Sequence, residues 1–92
     1  MNREFVVLRG IGYEATFADD QVIFTEQIPI SHRTVFTLER PRALGAPGIW
    51  YLTSLDMGIH GMPVGHIIAA VEWCKERFGK SHEPYKAEMA TQ

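Results

Sequence analysis

Four histidines and a single cysteine are the most chemically capable side chains in these 92 residues, and their spacing decides what they can do. His60 and His66, with Asp56 close by, hold the right atoms for a divalent metal. A helical zinc pair needs histidines four apart on one face, or cysteine pairs as companions, and neither pattern occurs. Adding His32 or His82 requires the fold to bring distant segments together. The expected reading is a solvated or hydrogen-bonded imidazole at each position, with no metal and no cofactor.

Nucleophiles fare no better. Ser31-His32 is a bare dipeptide, Ser54 precedes Leu55-Asp56, and neither serine sits on a glycine-flanked elbow. Cys74 falls on an apolar stripe, where a thiol acts as a small hydrophobe. Asp19 and Asp20 are spaced for turn formation rather than for acid–base work. The run Gly58-Ile59-His60-Gly61-Met62-Pro63-Val64-Gly65-His66 has the outline of an anion cradle before a helix. No Lys-Ser/Thr follows its glycines, and Pro63 deletes a donor, so it reads as a structural turn. No catalytic residues are assigned, and an enzyme is the less favoured class.

Composition narrows the classes further. Hydrophobic residues make up 46% and charged residues 22%, a balance that supports one folded core. Net charge is −2 and evenly spread: residues 1–46 hold five arginines against six acids, and residues 47–92 hold four basic side chains against five. A nucleic-acid binder usually carries a basic footprint, because phosphate neutralisation supplies its non-specific affinity. That footprint is missing. Arg33, Arg40 and Arg42 do lie opposite in charge to a hairpin bearing Glu14, Asp19, Asp20 and Glu26, and a surface polarised this way could steer a partner. The apolar run Phe5–Leu8 is too short for a signal-peptide core or a membrane span, so a cytoplasmic protein of a prokaryote or a virus is expected, with no membrane partner.

The elements that must position these residues follow from periodicity. Phe5–Leu8 reads as a strand, ended by Gly10 and Gly12. Tyr13–Phe17 and Val22–Glu26 alternate with period two around the polar link Ala18–Gln21, the best hairpin signal in the chain. Pro29 makes Ile28–His32 a link or an edge. Thr34–Glu39 is a further strand, with Phe36 and Leu38 on one face. Arg40–Gly48 is a loop. Ile49–Leu55 is the last strand, with Trp50, Leu52 and Ser54 expected opposite Tyr51, Thr53 and Leu55. Pro63 opens a helix that runs to Phe78, with Gly79 at its cap. The order β-β-β-β-β-α with short links predicts an α+β domain over residues 1–79. In it, an antiparallel meander of four to five strands is covered on one face by one C-terminal amphipathic helix. Residues 80–92 are expected to form a polar tail.

That helix carries the strongest functional hint. Val64, Ile67, Ile68, Val71, Cys74 and Phe78 share one stripe at 100° per residue, and its burial places Trp73 outward beside His66, Ala69, Ala70 and Arg77. An outward tryptophan beside small residues suits a partner contact. The strands also carry more large apolar residues than 16 helical positions can cover: Phe5, Val7, Tyr13, Phe17, Phe24, Phe36, Trp50 and Tyr51. The expected function is therefore a small non-enzymatic domain that binds a protein or a second copy of itself, as an adaptor or an inhibitor. Contacts are expected at Trp73, His66, Ala69, Ala70 and Arg77, with a second surface around Trp50 or Tyr51. The first alternative is an inhibitor carried by a phage or mobile element against a host nucleoprotein complex, of the anti-CRISPR type, an analogy of size and composition alone. A second is a ligand-binding or catalytic cleft between helix and sheet, lined by Tyr13, His60 and His66. A third is single-stranded nucleic-acid binding on sheet aromatics beside Arg33, Arg40 and Arg42.

Overall fold

Apolar–polar alternation over the first half of the chain builds one antiparallel sheet. The computed structural model describes residues 2–18, 20–28, 31–40, 50–59 and 61–78. Five strands follow in sequence order: β1 (Arg3–Leu8), β2 (Ile11–Ala18), β3 (Gln21–Glu26), β4 (Val35–Glu39) and β5 (Tyr51–Asp56). A single helix, α1 (Val64–Arg77), completes an α+β architecture. The strands lie side by side in chain order, so β1 and β5 are the sheet edges. Leu8 pairs with Ile11 across the two residues Arg9 and Gly10, whose φ values are 53° and 85°. Two positive φ angles define the turn whose twist matches a hairpin, and Gly10 takes the second at no steric cost.

Strand register sorts the side chains cleanly. Val6, Leu8, Tyr13, Ala15, Val22, Phe24, Phe36 and Leu38 are buried on the face that meets α1. The opposite face carries rows such as Arg3–Thr16–Ile23–Thr37 and Phe5–Glu14–Thr25–Val35. Its threonines suit water, whereas Phe5 and Val7 remain 66% and 57% exposed.

Two expectations about side-chain direction are overturned. In β5 the register slips between Thr37 and Leu38, so Thr37 faces Ser54 while Leu38 faces Leu52. Thr53 is the extra residue of a bulge, and it breaks the alternation. Leu52 and Leu55 therefore share a face, and Ser54 joins Tyr51 on the other. Trp50, expected on an exposed surface, is 2% exposed and packs on Phe78 with ring centroids 5.5 Å apart.

The helix is rolled about a quarter turn from the expected stripe. Ala70 and Cys74 are fully buried, while Val64 and Ile68 are 55% and 59% exposed. Trp73 turns inward, stacking on Phe17 at 6.1 Å and meeting Phe24 edge-on at 5.7 Å. The cause is complementary size. The sheet beneath α1 is paved with Tyr13, Phe17, Phe24 and Phe36, so the helix approaches on small residues, Ala70 and Cys74, and turns its one large ring toward the sheet. The indole gains aromatic contacts with Phe17 and Phe24 there that Val64 and Ile68 could not supply. Lys75 and Arg77 in the last turn favour the helix dipole, and the Phe78 N–H closes that turn on the Cys74 carbonyl at 2.9 Å.

Candidate functional site

At the end of the sheet bearing the Arg9–Gly10 turn, several polar groups converge beneath the first turn of α1. Tyr13 on β2 and His66 on α1 share a hydrogen bond of 2.8 Å between the phenolic oxygen and Nδ1. Their rings meet edge-on at 5.6 Å. Glu26 and Thr34 are buried alongside, and Glu26 Oε1 accepts the Thr34 N–H at 2.9 Å. The Thr34 hydroxyl in turn accepts the Gly58 N–H at 3.2 Å. Gly58 is tightly enclosed there, because a Cβ would collide with the His32 carbonyl oxygen and lie 2.7 Å from the Thr34 nitrogen, so any larger residue forces the backbone to shift. The interlock ties the segment before α1 to β4, and so fixes where His66 arrives.

Burial pushes the Tyr13 hydroxyl up to about 12, the Glu26 carboxylate adds to the rise, and the Thr34 hydrogen bond partly offsets it. When the Tyr13 hydroxyl donates the bond to His66, Nδ1 is the acceptor and the ring N–H is the Nε2 one. His66 also lines a shallow pocket of about 310 Å³ with Arg9, Met62, Pro63, Val64 and Gly65. Tyr13 itself has no accessible surface. Buried and bonded to His66, Tyr13 helps to hold the imidazole in position.

On the open face of the same end lies an apolar cleft of about 490 Å³, bounded by Phe5, Gly12, Gln27, Ile28 and Ile59. The Phe5 ring covers the glycine: a Cβ at Gly12 would sit 2.8 Å from Phe5 Cζ. Ile28 and Ile59 are 76% and 64% exposed at its rim. Periodicity missed this corner because Ile28 and Ile59 lie outside regular elements, and only their unusual apolarity within turn segments signalled them.

The contact residues expected on α1 are brought together, but toward the sheet. Ala70 belongs to the core, and Trp73 and Ala69, both half-buried, pack against it. His66 is engaged by Tyr13. Arg77 lies 5.4 Å over the Phe17 ring and bonds Glu4 Oε1 from Nε at 3.0 Å. Of the second expected surface, Tyr51 is exposed and Trp50 is not. His60, Asp19, Arg42, Gly79 and the tail over residues 80–92 lie outside the described residues. Arg40 sits over the Trp50 and Phe78 rings at 5.4 and 5.2 Å. Cys74 is buried, and burial raises its thiol from 9.0 to about 12. Among the described residues, no three His, Cys, Asp or Glu side chains cluster to hold a metal, and no helix is long and apolar enough to cross a membrane.

No family model matches this chain, and neither a curated protein nor a solved structure does.

Proposed function

We propose that this is a non-enzymatic protein-binding domain whose contact surface is the apolar corner of the open sheet face. The observation that carries the reading is Phe5, Ile28 and Ile59, each at least 64% exposed, gathered around one cleft at the end of a rigid sheet. Hot spots take this form, with a preformed pocket that receives a large apolar side chain and a rim that excludes water. Adaptor and inhibitor roles both use such a surface. The test is affinity capture from native cell extract with the wild type and with the double variant Ile28→Ser, Ile59→Ser. Both side chains project from the core, so the variant keeps its fold. The reading expects a specific partner that the variant loses; identical capture by both, or none by either, contradicts it.

A second reading is supported by the Tyr13–His66 bond, which stands where the alternative helix–sheet cleft was expected. In that case the roughly 310 Å³ pocket beside His66 takes a small ligand. Histidine chemical shifts followed through a ligand screen test it, with a shift at His66 as the supporting result.

A further inference from the structure

The two sheet edges are built differently, and the difference points to a second copy of this chain. Edge strands invite pairing, and proteins blunt them with bulges, charge or proline. The β5 edge carries the Thr53 bulge. Among the described residues the β1 edge carries neither bulge nor proline, and its charges are confined to Arg3 and Glu4 at one end: all six residues Arg3–Leu8 pair with Thr16–Ile11 in unbroken register. Phe5-Val6-Val7-Leu8 contains no charge and no proline, and its two outer side chains are largely exposed.

Backbone direction can be assigned along this strand. The Phe17 N–H donates to the Asn2 carbonyl at 2.9 Å. Hydrogen-bonded pairs alternate along an antiparallel ladder, so Asn2, Glu4, Val6 and Leu8 bond to β2. The N–H and C=O groups of Arg3, Phe5 and Val7 therefore point outward from the sheet edge.

We infer that two copies of this protein join through β1 in antiparallel fashion, about a dyad at Phe5, into one ten-stranded sheet. This rests on the protein-binding reading and names one partner for the same corner of the molecule. The register follows from three requirements. Residues that face each other must point their backbone groups at one another, which restricts pairing to odd positions with odd positions. Centring on Phe5 engages the whole stretch from Asn2 to Leu8, placing Arg3 of each copy opposite Val7 of the other. No like charges then face across the dyad, because Arg3 lies opposite Val7 and Glu4 opposite Val6, while within each copy Arg3 stays paired to Glu14 at 3.6 Å and Glu4 to Arg77 at 3.0 Å. A register shifted toward the turn, centred on Val6, would set Arg3 against Arg9 and is disfavoured. Centred on Phe5, the arrangement sets two phenylalanines side by side as a cross-strand aromatic pair on the open face. The closed two-fold leaves only the bulged β5 edges free, so assembly stops at two.

The mass in solution tests this, measured by light scattering at about 100 μM, because so small an interface belongs to the weak, transient class. The wild type is expected at twice its 10.4 kDa. Val7→Pro removes an outward N–H without touching the β2 ladder, a place where an edge strand tolerates proline. Phe5→Lys sets like charges on the dyad. Both variants are expected at single mass with an unchanged circular dichroism spectrum, while Ile68→Ser on the exposed helix face keeps the doubled mass. A monomeric wild type, or doubled mass in both edge variants, overturns the inference. Should the wild type be monomeric while Ile28→Ser, Ile59→Ser still loses a captured partner, the pairing fails and the protein-binding reading stands.

Discussion

Trp73 shows how much one side chain decides. Its indole fills the angle between Phe17, Phe24 and Phe78. Trp73→Ala is therefore expected to lower unfolding free energy by about 2–4 kcal/mol, read by chemical denaturation, and to leave any doubled mass intact at protein concentrations where the variant is folded. Tyr13→Phe removes one hydrogen bond to His66 and costs about 1 kcal/mol. A loss near zero would show that the bond contributes nothing. Tyr13 and Cys74 make a joint prediction about pH. Each is pushed up to about 12, from 10.0 and 9.0 respectively, so each binds its proton more tightly in the folded chain. Their contribution is complete below pH 9 and is lost as the pH climbs toward 12. Thermal melting across that window should fall steeply in the wild type and less so in a Tyr13→Phe, Cys74→Ala variant, compared as changes from pH 8.

At the scale of elements, the strands were legible and the helix face was not. Alternation is clear in Tyr13–Phe17 and looser in Val22–Glu26, because one side of each strand meets a core and the other is more exposed, and the pairing Phe17 with Val22 follows. The helix offers two apolar arcs. Val64, Ile68 and Val71 form one; Ala70, Trp73 and Cys74 form the other. Periodicity weighs them by count, whereas packing weighs them by fit to the aromatic floor beneath, which only the assembled sheet supplies. The β5 bulge was hidden for a related reason, since it arises from how β4 and β5 meet rather than from any residue in Tyr51–Asp56. Of the trio Tyr13, His60 and His66 expected to line a cleft, Tyr13 and His66 meet through one hydrogen bond, and His60 lies outside the described residues. Glu26 and Thr34 were not recognised, because a strand-end carboxylate reads as a solvated charge until a backbone N–H is found pointing at it. Gly58 is the element-scale test: Gly58→Ala should cost about 1–3 kcal/mol by forcing the pre-helix segment away from β4, with His66 shifts moving in the same spectrum. An unchanged melting point would mean that this contact does not position the helix.

For the whole molecule, the surplus of apolar surface is unchanged in kind, but its location is reversed. Trp50 is buried in the core and Trp73 packs half-buried against it, whereas Phe5, Val7, Ile28 and Ile59 are left outside at one corner. The binding account therefore depends on β1 and the open face beside it, while Val64 and Ile68 are exposed on the helix. The most direct measurement is amide exchange along β1, resolved residue by residue. In a paired sheet the Phe5 and Val7 amides find acceptors in a second chain, so their exchange should slow to approach that of Val6 at high concentration and recover on dilution. Val6 should stay protected throughout by its bond to β2. Phe5 and Val7 amides that exchange as freely as those of an open peptide, at every concentration up to the solubility limit, would contradict the account.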